Sequence, residues 1–290
     1  MDIFQFYLNN KVNYSKNSLQ MQMPNTSEVD VSVIIPVMNR ESFNKPLTEH
    51  LLAAINKHSS KSFSITFVEH SVTKQHDKIC AANVNHIWAP SNGGVFNKCY
   101  AFNLGALFSN KCKYFLFHDI DIIMQSDFFD KLFQNIEAYK TAMQPFTGGS
   151  LIFMDDNTTK SILNKSANVN DISIDLSKVT PAAPMAPGGS IFVEYNNFFK
   201  SGGFDAEFFY GYSCEDVFFK NKTRIISGIN TSNSPIIPLF HMYHPPLVST
   251  NKDIKFHHAI LDTFNNLPDS EKYRLMEMEC INLKKYIDHV

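Results

Sequence analysis

The sequence predicts an α/β chain built on a mostly parallel central sheet flanked by helices. Three observations predict it. Short β-branched runs alternate with stretches of helical spacing, an aromatic run halts at two carboxylates, and polar residues cluster where the strands end. In open parallel sheets ligands bind at the carboxyl ends of strands, so the same clustering marks a candidate site.

Residues 1–30 form a polar leader with room for a short helix. Val31-Ser32-Val33-Ile34-Ile35-Pro36-Val37 has the β-branched content of a buried parallel strand, stopping at Pro36. Asn39-Arg40-Glu41-Ser42 is a polar loop, and Pro46, Leu47, Leu51, Leu52 and Ile55 place a helix over residues 46–58. Phe63–Val68 is a second strand closed by Glu69-His70. Strand, helix, strand in that order is a βαβ unit, which implies a right-handed crossover between parallel strands. His86-Ile87-Trp88 is a third short strand, opening onto the flexible Ser91-Asn92-Gly93-Gly94 and a helix from about Asn97 to Leu107.

Tyr114-Phe115-Leu116-Phe117-His118 is the central strand, and Asp119-Ile120-Asp121 stands at its end. Side chains two apart on a strand share a face, so this acid pair is expected to address one ligand together. Residues 127–133 continue as an amphipathic helix, Met154–Thr159 is a turn feeding another, and residues 167–180 are an irregular insertion. A second informative block runs from Pro187-Gly188-Gly189-Ser190 through Gly202-Gly203 to Gly211-Tyr212-Ser213-Cys214-Glu215-Asp216. After a helix to about Ile226, Ile236–Phe240 leads into His241-Met242-Tyr243-His244, and the rest is largely helix. The division expected is a leader over 1–30, a main domain over 31–246 and a helical extension packed on it over 247–290.

At 290 residues the chain can bury a sizeable core, and a formal charge of -2 offers no basic field for nucleic acid. Five cysteines without a CxxC pair favour reduced thiols and a cytoplasmic setting, with peripheral membrane attachment left open. The leader has no apolar h-region, and no stretch approaches the ~18 apolar residues that span a bilayer.

Each chemical signal has a plain alternative. An Asp-x-Asp pair can hold Mn²⁺ or Mg²⁺ against a diphosphate, or be two solvated acids at a strand end. Glu215-Asp216 can supply a general base, with Tyr210 and Tyr212 as a stacking face, or merely favour a helix N-terminus. His241 and His244 suit a metal shared with carboxylates, although a lone histidine is usually structural; His257 and His258 are expected at the surface. Gly188-Gly189 permits close approach to a ligand or a tight turn, and Arg40 and Lys98 can offset diphosphate charge or sit at the surface.

Taken jointly the motifs have a familiar order. Ile35-Pro36-Val37-Met38-Asn39-Arg40, Phe96-Asn97-Lys98, Phe117-His118-Asp119-Ile120-Asp121, Gly188-Gly189-Ser190 and Gly211-Tyr212-Ser213-Cys214-Glu215-Asp216 together resemble the β-1,4-galactosyltransferase family. They are also similar to bacterial chondroitin-polymerase and polypeptide N-acetylgalactosaminyltransferase domains. The resemblance covers about residues 31–246. It implies a GT-A fold, with a Rossmann-like nucleotide-binding half and an acceptor-binding half, and an inverting, metal-dependent transferase of polysaccharide biosynthesis. The donor implied is a UDP-sugar carrying a hexose or N-acetylhexosamine (Gal/GalNAc or Glc/GlcNAc), and the acceptor is a carbohydrate or glycoconjugate hydroxyl.

By position the resemblance implies that Pro36, Arg40, Glu69, Phe96, Asn97 and Lys98 meet the nucleotide, with Lys98 where relatives carry Arg. Asp119 would face the ribose or donor sugar, Asp121, His241 and His244 would hold Mn²⁺ or Mg²⁺, and His241 matches relatives more firmly than His244. Gly188, Gly189, Tyr212 and Glu215 would line the sugar pockets, with Asp216 as catalytic base. The chain departs from the family in having Tyr212, Ser213 and Cys214 where a Trp and two glycines are usual, which narrows the pocket. A retaining transferase, a sugar nucleotidyltransferase and a non-catalytic carbohydrate-binding module remain the alternatives.

Overall fold

β-Branched and aromatic runs supply the strands of two sheets in the computed structural model, which describes residues 1–23, 27–38, 40–57, 60–75, 84–91, 95–134, 142–143, 151–165, 168, 170, 188–211, 213–227, 237–245 and 253–286. In chain order the first half contains α1 (Ile3–Asn10), β1 (Gln20–Gln22), β2 (Val29–Val37), α2 (Glu41–Lys57), β3 (Phe63–Ser71), β4 (Val84–Pro90), α3 (Lys98–Phe108), β5 (Cys112–His118), β6 (Ile122–Met124) and α4 (Phe128–Gln134). The second half contains β7 (Ala142–Met143), β8 (Leu151–Phe153), α5 (Asp156–Leu163), β9 (Ser190–Glu194), α6 (Tyr195–Lys200), α7 (Glu215–Ser227), β10 (Leu239–His241), α8 (Ile254–Asn266) and α9 (Asp269–Lys284).

The larger sheet has the order β1-β4-β3-β2-β5-β9-β7. Its centre, β4-β3-β2-β5, is parallel, as the βαβ reading expects. β1, β9 and β7 join antiparallel at the flanks. A smaller sheet, β6-β10-β8, stands beside it. The chain crosses from one sheet to the other through Asp119-Ile120-Asp121, between β5 and β6.

Strand alternation sorts the core onto two faces. Phe115 and Phe117 of β5 and Ile34 of β2 enter an aromatic cluster with Phe102, Phe198, Phe204, Phe218 and Phe219. Leu116, Val33 and Ile35 enter the opposite cluster with Leu47, Leu51, Phe128 and Phe129. The aromatic face is closed by both ends of the chain. Ile3, Tyr7 and Tyr14 of the polar leader and Ile260, Phe264, Leu275 and Leu283 of the last helices all belong to that cluster. Asn103 donates from Nδ2 to the Tyr14 hydroxyl at 2.7 Å, and the Tyr7 hydroxyl donates to the Met278 carbonyl at 3.4 Å. Two local readings change. β2 continues past Pro36 to Val37, which the sheet tolerates because pairing with β5 has already ended at Ile34. His257 is buried rather than exposed: it shares the inner face of α8 with Ile260 and Phe264, and its ring lies 5.5 Å from Phe209 and 5.1 Å from Tyr210.

Among the described residues no helix is long and apolar enough to cross a membrane, and Cys99, Cys112, Cys214 and Cys280 are free thiols. The insertion at 167–180 lies outside the described residues apart from 168 and 170.

The closeness of α3 to the sheet yields a prediction. A Cβ on Gly105 would lie 2.3 Å from Ile34 Cγ2 and 3.2 Å from Val68 Cγ2. Alanine gains about 1 kcal/mol of helix propensity, but overpacking typically costs about 1–3 kcal/mol. Gly105→Ala is therefore expected to be net destabilising by about 1 kcal/mol, seen as a lower urea midpoint at unchanged slope.

Candidate active site and metal centre

The turn between the sheets is held closed by His118, the last residue of β5. Its Nε2–H donates to the Ile122 carbonyl at 2.9 Å, and Nδ1 meets Ser190 Oγ at 3.1 Å. Burial pushes its pKa down to about 4, so the ring is neutral. The Asp119 N–H donates to the Gly189 carbonyl at 2.8 Å, and the Ile122 N–H donates to the Asp119 carbonyl at 3.2 Å. The strand has therefore ended before either acid, and the shared-face argument for Asp119 and Asp121 does not apply. A turn sends the two carboxylates to different partners.

Asp119 meets Lys98. The Lys98 ammonium lies 2.8 Å from both Asp119 oxygens and 3.6 Å from Glu215 Oε1. Burial alone would strip its charge, but Asp119 and then Glu215 hold the ammonium above its ordinary value. At Asp119 burial pushes upward and Lys98 pulls downward. With an ammonium against both oxygens, the carboxylate form is the one that fits. Lys98 sits at the start of α3, where Asn97 caps the helix by accepting from the Tyr100 N–H at 2.8 Å.

Lys98, Gly188, Gly189, Glu215 and Asp216 line one cleft. Glu215 and Asp216 form the first turn of α7. Glu215 is committed on both oxygens, to Lys98 and to the Ser213 hydroxyl at 2.8 Å. Asp216 accepts the Val217 N–H on Oδ1, while Oδ2 lies 2.6 Å from where a Cβ on Gly188 would stand. Only glycine leaves that space, and Gly189 adopts φ +101° directly against Ile122. Burial, then the charge of Glu215, push the Asp216 carboxyl up to about 7.

Asp121 meets the histidines. His241 ends β10, which pairs antiparallel with β6 and sets His241 opposite Ile122. The Met242 N–H donates to the Asp121 carbonyl at 2.8 Å. His244 Nε2 lies 3.1 Å from Asp121 Oδ2, and His241 Nε2 lies 3.8 Å from Asp121 Oδ1. Burial works against charge on Asp121, but His244, His241 and Arg40 outweigh it and hold the carboxyl down at about 2. Burial lowers His241, whereas the hydrogen bond to Asp121 raises His244. One carboxylate oxygen and two imidazole nitrogens, all within 4.8 Å of one another, can hold a metal ion. One carboxylate and two imidazoles suit a divalent cation that keeps further positions for oxygen ligands. Arg40 backs the cluster, with Nη2 3.2 Å from His244 Nδ1.

The remaining predicted residues sit around these two groups. Pro36 is buried near the end of β2, and the Phe96 carbonyl accepts the Gly211 N–H at 2.8 Å. Glu69 is fully buried: it accepts from the Ser71 hydroxyl at 2.6 Å and the Gln75 N–H at 2.7 Å, and lies 3.3 Å from His86 Nε2. Tyr210 turns away to donate to Asp253 at 3.0 Å, and Cys214 is buried in the aromatic cluster. Tyr212 and the Asn92-Gly93-Gly94 loop lie outside the described residues. Sequence reasoning quoted His118 and Ser213 without giving them work. A histidine inside an apolar strand beside acids was the available signal for the first.

The chain was compared with known proteins. The model of the family described as Glycosyltransferase like family 2 matches residues 32–243. None of the curated proteins compared matches. Among solved structures, S. aureus TarS 1-349 in complex with UDP-GlcNAc is 15% identical, with a TM-score of 0.52 over 84% of this chain and 69% of that one. Mannosyltransferase PcManGT from Pyrobaculum calidifontis, in complex with GDP-Man and Mn2+, is 11% identical, with a TM-score of 0.53 over 98% and 79%. The catalytic domain of Drosophila beta1,4galactosyltransferase 7, in complex with xylobiose, is 15% identical, with a TM-score of 0.44 over 75% and 71%. The fold is the GT-A fold that the motifs led one to expect.

The raised Asp216 carboxyl has a consequence for stability. An acid whose folded pKa is about 7, against an ordinary 3.8, binds its proton more tightly in the folded state. Stability then falls as pH rises from about 4 to 7, and the loss is complete above that range. Asp216→Asn mimics the protonated acid. Its urea midpoint is expected to match wild type at pH 4 and to exceed it at pH 8.

Proposed function

This chain belongs to Glycosyltransferase like family 2, and we propose that it moves a hexose or N-acetylhexosamine from a UDP-sugar to a hydroxyl of a glycan or glycosylated acceptor, with inversion. The observation that carries this reading is the split of the Asp119–Asp121 turn. One arm faces a cleft holding a carboxyl pushed up to about 7, and the other meets a histidine pair suited to a divalent cation. An inverting transfer needs both: a base on the acceptor side and compensation for the leaving diphosphate.

Asp121, His241 and His244 would hold the cation, with Arg40 fixing the orientation of the His244 ring. Mn²⁺ or Mg²⁺ bound there supplies Lewis-acid neutralisation of the diphosphate. Asp216 accepts the acceptor hydroxyl proton on Oδ2 as that oxygen attacks the anomeric carbon from the face opposite the diphosphate. Glu215 orients the acceptor. Lys98 holds Asp119 and Glu215 together, so its charge reaches the diphosphate through space rather than by a free side chain. Pro36, Arg40, Phe96 and Asn97 border the nucleoside. Glu69 shapes that border through Ser71 and Gln75. The solved complexes of TarS with UDP-GlcNAc and of PcManGT with GDP-Man and Mn2+ support donor and metal of these classes.

The test begins with UDP release from UDP-Gal, UDP-GalNAc, UDP-Glc and UDP-GlcNAc, with and without Mn²⁺. Asp216→Asn is expected to lower transfer by about 10²–10⁴, the usual worth of general base catalysis, while donor binding persists. Full transfer by that variant would remove Asp216 from the base role. In wild type kcat/KM should rise with pH through about 7 as Asp216 loses its proton. Asp121→Ala should abolish the Mn²⁺-dependent turnover, and a product of retained anomeric configuration by NMR would exclude the inverting route.

A further inference from the structure

Lys222 lies on the same helix as Glu215, seven positions on, and its side chain is fully buried. Seven residues return to the same helix face two turns along. Its ammonium is 2.8 Å from both oxygens of Asp205 and 2.9 Å from Glu279 Oε2. Asp205 follows the Gly202-Gly203 turn, and its carbonyl takes the N–H groups of Phe208 and Phe209. Glu279 belongs to α9, beyond the residues 32–243 that match the family model. Gly202 admits it: φ is +80°, and a Cβ there would lie 2.5 Å from Glu279 Cβ.

Burying an ammonium with two carboxylates is an expensive way to join helices, and apolar replacements of such clusters are often neutral or stabilising. Stability alone therefore does not call for a lysine at this point. An ion cluster can fix register where an apolar seam tolerates sliding. Apart from two exposed hydrogen bonds, the Tyr273 hydroxyl to the Ile225 carbonyl and Asn221 to Asn265, the rest of the α7 contact surface is largely of the apolar kind. Phe218 packs on Phe208, Phe209 and Phe264, and Phe219 on Phe198 and Phe204. A second polar anchor stands at the other end of the helix, where Glu215 meets Lys98 and Ser213. Between those two anchors sits Asp216.

We propose that Lys222, Asp205 and Glu279 are positioning residues that fix the register of α7 against α9 and thereby hold the Asp216 carboxylate over Gly188. The inference rests on Asp216 being the base. The last helix of the chain then serves the reaction without touching substrate, through a contact two turns below the cleft. A displacement of about 1 Å at a reacting group can cost as much as 10²-fold in rate, so a small slip of α7 is enough.

The full-length triple variant Asp205→Asn/Lys222→Met/Glu279→Leu replaces the cluster by groups of similar volume without buried charge. Glu279→Leu alone is measured beside it, so that if one fails to fold the other decides. Turnover is read as UDP release from whichever of the four UDP-sugars wild type consumes with Mn²⁺, well below the melting temperature. The expected result is a kcat at least tenfold lower at a donor KM within twofold of wild type, with the acidic limb of the pH profile displaced because Asp216 has moved. Unchanged kcat and an unchanged limb, with only the melting temperature altered, would overturn the positioning role and leave the cluster as a structural tie. Wild type run alongside separates the two readings. Absence of any wild-type UDP release overturns the transferase reading itself, whereas wild-type release with undamaged variants overturns only this one.

Discussion

The site depends on one turn. Asp119-Ile120-Asp121 carries the chain from the large sheet to the small one, and neutral His118 pins it by bonding the Ile122 carbonyl. Because the turn joins two sheets, its acids point into two environments. Lys98 and α7 belong to the first; β10, with His241, belongs to the second. Were the strand to continue straight through these residues, both carboxylates would face one way, and one of the two groups would lose its acid. A charged His118 could not accept from Ser190 on Nδ1, and burial keeps it neutral. The most buried residue of the motif is thus the one that divides the labour of the other two.

Charge balance follows from that division. Asp119, Asp121, Glu215 and Asp216 are set against Lys98 and Arg40, with His241 held neutral by burial. A cluster with more acids than cations is unfavourable when closed off from water, and it relieves the excess by raising carboxyl pKa values or by taking up a cation. The first route is visible at Asp216, and Asp121 is instead balanced by side chains of the protein. Asp216 goes up to about 7 because no cation bonds it directly, whereas Asp121, facing two imidazoles and a guanidinium, stays down at about 2. The two acids thus titrate apart because of their neighbours, not because of their own chemistry.

Much of the fold was legible in the sequence, from apolar runs and helical spacing. β2, β3 and β5 announce themselves by continuous β-branched and aromatic runs, α2 by a helical spacing of its leucines, and the polar residues at the strand ends mark a site without reference to any distant residue. The small sheet was not legible, because β6, β8 and β10 are three residues each, too short to establish a period. Nor was the buried role of the leader, where Ile3, Tyr7 and Tyr14 are spaced among polar residues and find partners far along the chain, among them α3, Phe208 and α9. Pairings across the chain, such as Arg40 with His244, were out of reach for a different reason. Sequence spacing over 204 residues carries no distance, so candidates could be named but not joined. The Asp119–Asp121 pair shows the converse failure: a local rule applied to residues that had already left the strand.

The adjacent acids of α7 show how one peptide step assigns opposite roles. Consecutive residues on a helix differ by about 100° in direction, so Glu215 and Asp216, though they line the same cleft, reach different partners. Glu215 turns toward α3 and spends its oxygens on Lys98 and Ser213. Asp216 turns toward Gly188 and is pushed up by burial and by the charge of Glu215 beside it, which the charge of Lys98 and one backbone N–H offset only in part. Exchanging the two residues would preserve composition, charge and helix dipole while breaking both environments, because the longer Glu side chain would meet the Gly188 backbone and the shorter Asp would fall back from Lys98. The order Glu-Asp, rather than the presence of two acids, is therefore what the geometry of the cleft requires.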